Sequence, residues 1–329
     1  MKGEIKQICI LVEDVYKSMR DFWEVLQIGP WDVRHFNPEN CSYFEVGGKQ
    51  LVEKFDFIAA VAYAGDIEFE LVQPIEGPNV YWDVLNKKGP CIHHFKVVIK
   101  DTDELKGYLE ELAEKGISVT QTGWLDGDVH AYIGTEDKVG FIIEMGNGGE
   151  IGPAPEVYPP EAIGAEKTKR CVNIKQIGIL VDDVNKYLKN FAEIFDIKPW
   201  NIYRFDPEHV SYFEVGEKQL AEGYNFITCC CKFGNMEVEL MQPIEGPNIY
   251  WDALNTAGVG LHHIKDVMTN EELKETVEEY KSRGIKVLQC GHLEEDWHYY
   301  MDTKEKLSFV LELGNGGKIE HPVDWYPKK

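Results

Sequence analysis

IKQICILVEDV, residues 5–15, returns almost unchanged as IKQIGILVDDV at residues 174–184. The same offset of 169 residues joins SYFEVGGKQL from Ser42 to SYFEVGEKQL from Ser211, and ELVQPIEGPNVYWDVLN from Glu70 to ELMQPIEGPNIYWDALN from Glu239. IHHFK at 92–96 falls on LHHIK at 261–265. After one deletion, FIIEMGNGGEI from Phe141 falls on FVLELGNGGKI from Phe309. Solenoid repeats are much shorter, so each copy is expected to be a domain with its own core. The expected boundaries are domain 1 over residues 1–150, a linker over 151–171 and domain 2 over 172–329. The non-periodic stretch from Gly152 to Arg170 marks the linker, since its paired prolines Pro159 and Pro160 block regular structure.

Each copy divides again. Ile5 to Val12 reads as a strand, and Asp14 opens a helix whose Val15, Met19, Phe22 and Leu26 recur at helical spacing. Strand-like runs follow at Ser42 to Val46, Phe57 to Tyr63 and Ile67 to Val72. The order then restarts with a strand at His93 to Ile99 and a helix at Asp101 to Lys115, striped by Leu105, Leu109 and Leu112. Strands near His130 to Ile133 and Phe141 to Met145 complete it. Asp101 with Glu104, and Thr269 with Glu272, carry the spacing of a helix capping box. The expectation is an α+β fold of four βαβββ modules paired into two domains. In each, helices cover one face of a curved mixed sheet and the other face holds a ligand.

Composition narrows the function. With 57 acidic against 34 basic residues the net charge is -23, and no Lys/Arg block could track phosphates, so nucleic acid and anionic membrane are excluded as partners. No apolar run approaches the roughly 18 residues of a membrane span. The 8 cysteines lack paired spacing, and the Cys229 to Cys231 run replaces Ala60, Val61 and Ala62. They read as small core residues in a reducing, cytoplasmic compartment.

Strand alternation picks out what faces the open side of each sheet. Four polar residues interrupt otherwise apolar strands: Gln7, Glu70, His94 and Glu144, with counterparts Gln176, Glu239, His263 and Glu312. One comes from the first strand and one from the last strand of each module, so two facing modules would converge four donors. One imidazole nitrogen and three oxygens suit a divalent cation such as Zn, Mn, Co or Ni, up to two per chain.

Paired strand-helix-strands units, a polar first-strand residue, the double histidine and the closing apolar-Glu strand together resemble the vicinal oxygen chelate superfamily. That family includes glyoxalase I, methylmalonyl-CoA epimerase, extradiol dioxygenases and bleomycin-resistance proteins. The resemblance covers nearly the whole chain and implies two fused glyoxalase-like domains around metal cavities, in place of the homodimer formed by single-domain relatives, so that the chain stands as a monomer. It implies the metal sets Gln7, Glu70, His94, Glu144 and Gln176, Glu239, His263, Glu312. Extradiol dioxygenases hold iron with two histidines and a carboxylate, whereas the first-strand position here is Gln7 or Gln176.

The chemistry implied is a metal-polarised carbonyl whose enolate forms as a carboxylate removes the neighbouring proton. A small-molecule carbonyl compound is the expected substrate. The expected activity is an isomerase or epimerase, or a lyase, similar to methylmalonyl-CoA epimerase. Glutathione-dependent glyoxalase I chemistry is an alternative, although Leu11 and Leu180 stand where that enzyme has an arginine, and Pro74 and Pro243 where it has an asparagine. Non-catalytic binding of a small aromatic ligand or antibiotic is the other. Glu144 and Glu312 are the first-choice bases, with Glu39 and Glu208 as second carboxylates. Lys96, Lys265, His130, Tyr132, His298 and Tyr300 are expected to touch substrate. Tyr81 to Asp83 and Tyr250 to Asp252 read equally as module connectors or as lids.

Overall fold

The computed structural model describes residues 2–158 and 172–328. The first unit runs β1 (Glu4–Leu11), α1 (Val15–Leu26), β2 (Trp31–Phe36), β3 (Tyr43–Val46), β4 (Lys49–Gln50), β5 (Asp56–Ala64) and β6 (Ile67–Glu76). It continues through α2 (Tyr81–Lys88), β7 (Cys91–Val98), α3 (Thr102–Glu114), β8 (Val119–Leu125), β9 (Asp128–Ile133), α4 (Glu136–Val139), β10 (Ile142–Gly146) and β11 (Glu156–Tyr158). The second unit repeats it: β12 (Ile174–Leu180), α5 (Val184–Phe195), β13 (Trp200–Phe205), β14 (Tyr212–Val215), β15 (Lys218–Gln219), β16 (Asn225–Phe233), β17 (Met236–Glu245) and α6 (Tyr250–Ala257). There follow β18 (Gly260–Val267), α7 (Asn270–Ser282), β19 (Val287–Leu293), β20 (Asp296–Met301), α8 (Lys304–Leu307), β21 (Val310–Gly314) and β22 (Asp324–Tyr326).

Each unit holds one 11-stranded sheet, in the order β11-β2-β5-β6-β1-β7-β10-β9-β8-β3-β4 for the first. The expected βαβββ modules are β2-β5-β6-β1 with α1, and β7-β10-β9-β8 with α3. They meet antiparallel along β1 and β7, each flanked by a parallel partner, β6 and β10. The fold is therefore α+β with two glyoxalase-like sheets. The stretch expected as linker divides: Glu156–Tyr158 forms β11 on the edge of β2, while residues 159–171 lie outside the described residues.

Local rules account for the elements. Helix α1 starts where the Asp14 side chain accepts the Lys17 N–H and buries Val15, Met19, Phe22, Val25 and Leu26, the predicted stripe plus one residue. The Thr269–Glu272 capping box closes in both directions, whereas only the Asp101 half of the other is made. Besides the short β4 and β11, two module strands of the first unit escaped the sequence reading, β2 and β8. In WDVRHF the signal is alternation, with Trp31 and Val33 buried on one face and Asp32, Arg34 and Phe36 on the face that lines the cavity. Tyr81 to Asp83 lie in α2 between the modules, and Tyr81 is fully buried with its hydroxyl on Tyr132, so the segment connects and does not cover the cavity.

Tight packing at one turn gives a direct test. Gly77 has φ +80°, and a Cβ there would lie 1.8 Å from the Lys54 carbonyl oxygen; Gly246 repeats this at φ +75° and 1.7 Å from the Gly223 oxygen. Gly246→Ala is expected to destabilise the second unit by about 3 kcal/mol or more, read from the urea midpoint, because both the left-handed backbone and the carbonyl contact exclude a methyl group.

Candidate metal centres and their cavities

Strand register places the donors. Across β6, β1, β7 and β10 the paired residues form one row of Glu68, Gln7, Lys96 and Glu144, and a second row of Glu70, Cys9, His94 and Ile142 two residues along. The second unit has Glu237, Gln176, Lys265 and Glu312, then Glu239, Gly178, His263 and Val310. Because residues two apart share a face, both rows look the same way. The structure thus brings together all eight residues expected as metal donors, four per unit.

Donor atoms meet closely. His94 Nε2 lies 2.8 Å from Glu144 Oε2 and 3.7 Å from Glu70 Oε2; His263 Nε2 lies 2.9 Å from Glu312 Oε2 and 3.3 Å from Glu239 Oε2. These contacts do not have hydrogen-bond geometry: Gln7 Oε1, Glu70 Oε2, His94 Nε2, Gln176 Oε1, Glu239 Oε2, His263 Nε2 and Glu312 Oε2 are buried and make no hydrogen bond. Buried polar atoms are ordinarily satisfied, so orphans clustered on one point fit a shared cation. Among the described residues, two groups lie with donor atoms within 4.8 Å of one another: Cys9, Glu70, His94 and Glu239, His263, Glu312.

Neighbours orient these donors. The Gln7 amide donates to Glu68 at 2.5 Å and the Gln176 amide to Glu237 at 2.7 Å, which turns each carbonyl Oε1 toward the centre. His94 Nδ1 is 2.8 Å from His93 Nδ1, and His93 Nε2 is 3.4 Å from the Val80 carbonyl. With His93 donating to Val80, its Nδ1 accepts from His94, which leaves the His94 Nε2 lone pair for a cation. His262 and His263 repeat the contact at 3.2 Å. Alternation sets His93 on the face opposite His94, with Phe95 and Val97, so its contact with His94 was not legible in the sequence.

A buried lysine ties the centre to the cavity wall. Lys96 Nζ lies 3.0 Å from Glu144 Oε1 and 3.2 Å from Asp128, and Asp128 meets His130 Nδ1 at 2.8 Å. Lys265, Glu312, Asp296 and His298 repeat this at 3.0, 3.1 and 3.0 Å. The lysines therefore line the cavities, each with its charge matched by two carboxylates. Asp128 and Asp296 were missed, although each stands two residues before its histidine on one strand face.

Electrostatics separate the carboxylates. Burial and the nearby Glu144 push Glu70 up to about 8. Burial also acts on Glu144 and Glu312, but the lysine and histidine beside each outweigh it, lowering Glu144 and bringing Glu312 down to about 2. Burial lowers His94, whereas at His263 Glu239, closer than its counterpart, and Glu312 together overcome burial and raise it to about 9.

The first cavity encloses about 490 Å³ and the second about 410 Å³. His130, Tyr132, His298 and Tyr300 line them as expected, beside the stacked pairs Phe36–Phe57 and Phe205–Phe226. Tyr132 and Tyr300 turn their hydroxyls to Tyr81 and Tyr250. Glu39 and Glu208 do not join the site: each is exposed on a turn where Asn37 or Asp206 accepts its backbone N–H, which holds the side chain outward in solvent. Cys230 lines the second cavity and is not merely core.

No described helix is long and apolar enough to cross a membrane. No curated protein matches in sequence. Solved structures with a similar fold include a mutant 4-hydroxymandelate synthase from Streptomyces coelicolor, at TM-score 0.63 and 12% identity over 98% of this chain and 95% of that one. A 2,2',3-trihydroxybiphenyl 1,2-dioxygenase from Sphingomonas wittichii strain RW1 reaches 0.52 at 14% identity over 99% and 95%. A Mn(II)-bound glyoxalase from Novosphingobium aromaticivorans reaches 0.52 at 12% identity over 98% and 85%. The profile described as Glyoxalase/Bleomycin resistance protein/Dioxygenase superfamily matches twice, at residues 6–134 and 175–300, once on each copy of the repeat and each time spanning the first three donor strands. By that double match and the shared fold, the chain belongs to the glyoxalase/bleomycin resistance protein/dioxygenase superfamily, with the domain present in tandem.

Proposed function

We propose that each half is a divalent-metal centre that removes a proton next to a carbonyl, as an epimerase, isomerase or lyase would. The observation that carries this reading is the convergence, in both units, of carboxylate and amide oxygens lining a cavity on a buried imidazole behind them, with donor atoms that make no hydrogen bond. Gln7, Glu70, His94 and Glu144, and their second-unit counterparts, would hold the cation. Bound there, it would supply a positive charge that polarises the substrate carbonyl and stabilises the enolate oxygen. Each centre has a single inward imidazole, which differs from the two-histidine, one-carboxylate triad of iron oxygenases.

The chain's own groups supply the proton transfers. Glu70 and Glu144 come from β6 and β10, the strands that flank β1 and β7, so they approach the centre from two sides. This pair replaces the Glu39 and Glu208 assignment for a stereochemical inversion. Lys96 holds Glu144 anionic, which leaves its carboxylate able to accept a proton. Asp128 fixes the imidazole of His130 in the wall. Metal-loaded protein is expected to exchange the α-hydrogen of a 2-substituted acyl-CoA thioester, a hemithioacetal or a 2-substituted ketone with solvent deuterium, followed by NMR. Glu144→Gln with Glu312→Gln should slow exchange by about 10²–10⁴-fold. Tight binding of such compounds without any exchange would leave the sequestration reading in its place.

A further inference from the structure

Cys9 occupies a ligand's position. Its backbone is paired with Glu70 on one side and His94 on the other, and it is fully buried. Its sulfur, a Glu70 oxygen and a His94 ring nitrogen lie within 4.8 Å of one another. His94 Nε2, fully buried, and Glu70 Oε2 make no hydrogen bond. Two buried donors without a hydrogen bond therefore lie beside the thiol.

The second unit is built differently at this spot. Gly178 replaces Cys9, and a Cβ there would fall 2.1, 2.3 and 2.4 Å from His263 Cε1, Nε2 and Nδ1. The imidazole fills the volume that the thiol takes in the first unit. Cys230 is the thiol next to Glu239, but its Sγ lies 4.0 Å from Oε1, while His263 meets Oε2. The donor group found there contains no sulfur.

We propose that in the first centre the Cys9 thiolate joins Glu70 and His94 as a ligand of the cation, beside Gln7 and Glu144, while the second binds through oxygen and nitrogen alone. One chain then carries a thiophilic centre and a hard one. Binding forms a sulfur–metal bond as the S–H bond breaks, and the proton leaves to solvent with no change of oxidation state. Thiolate favours soft and borderline ions such as Zn²⁺, Co²⁺ and Cd²⁺, whereas a carboxylate-rich centre suits Mn²⁺.

The proposal rests on reading both clusters as metal centres, and Co²⁺ titration of the full chain keeps the two ideas apart. Two Co²⁺ per chain should bind, with d–d bands from both and a near-ultraviolet sulfur-to-metal charge-transfer band sized for one thiolate. Cys9→Ser should abolish that band, keep the second-centre d–d bands and weaken Cd²⁺ binding at the first centre by more than about tenfold. Cys230→Ala should keep the band. If two Co²⁺ bind with no charge-transfer band, or if the band disappears in Cys230→Ala and survives in Cys9→Ser, the thiolate assignment is overturned and the metal reading stands. Failure of Co²⁺ to bind at all overturns both. Far-ultraviolet circular dichroism of Cys9→Ser, which changes one atom, separates lost ligation from lost folding.

Discussion

Full-length protein stripped and reloaded with Mn²⁺ or Zn²⁺ is expected to hold two ions per chain by elemental analysis. Glu70→Ala and Glu239→Ala should each hold one, and the double variant none. The expectation follows from the donor clusters: each glutamate contributes a buried oxygen that makes no hydrogen bond, and each sits in a separate cluster. Binding to the folded state alone should add about 2.7 kcal/mol per centre at a hundredfold excess over Kd. At about 2–4 °C per kcal/mol this raises Tm by roughly 5–10 °C per unit. A double variant that still takes up two ions would show that the metal lies elsewhere.

Lys96→Met should be the most destabilising single change near the first cavity, at about 3–5 kcal/mol in urea unfolding, with Lys265→Met alike in the second. Methionine keeps the volume and removes the charge, which strands Glu144 and Asp128, or Glu312 and Asp296, inside the protein. Lys96→Met combined with Asp128→Asn should recover part of the loss. The same pairs set acid sensitivity. Asp128, Asp296 and Glu312 ionise below the ordinary carboxylate range because the buried lysine and histidine favour the charged form over the opposing cost of burial. The unfolded chain therefore binds more protons than the folded one as pH falls below about 4. Their stabilisation is complete above that range and declines as pH drops toward 2, so stability should fall steeply there and less steeply in the lysine variants.

Much of this was legible from period alone. The 169-residue repeat located both units, and alternation put Gln7, Glu70, His94 and Glu144 on one face, since a side chain's face depends only on parity along its strand. What parity cannot say is which strands become neighbours. The lateral order β6-β1-β7-β10 sets Cys9 between Glu70 and His94, and Lys96 between Gln7 and Glu144; neither adjacency is written in any one segment. Glu39 and Glu208 were drawn in by the family resemblance and not by alternation, and their turns leave both side chains exposed to water.

The replacement of Cys9 by Gly178 bears on what duplication makes possible. Two copies of one gene product must change together, because every mutation reaches both sites at once. In a covalently joined pair each pocket inherits its own mutations. The first wall carries Arg34 where the second carries Tyr203, and Val61 where the second carries Cys230, while the donor rows around them are kept. Such a chain can hold one reaction centre constant while the other drifts toward a different ion or a different substrate, a freedom that no symmetric homodimer possesses.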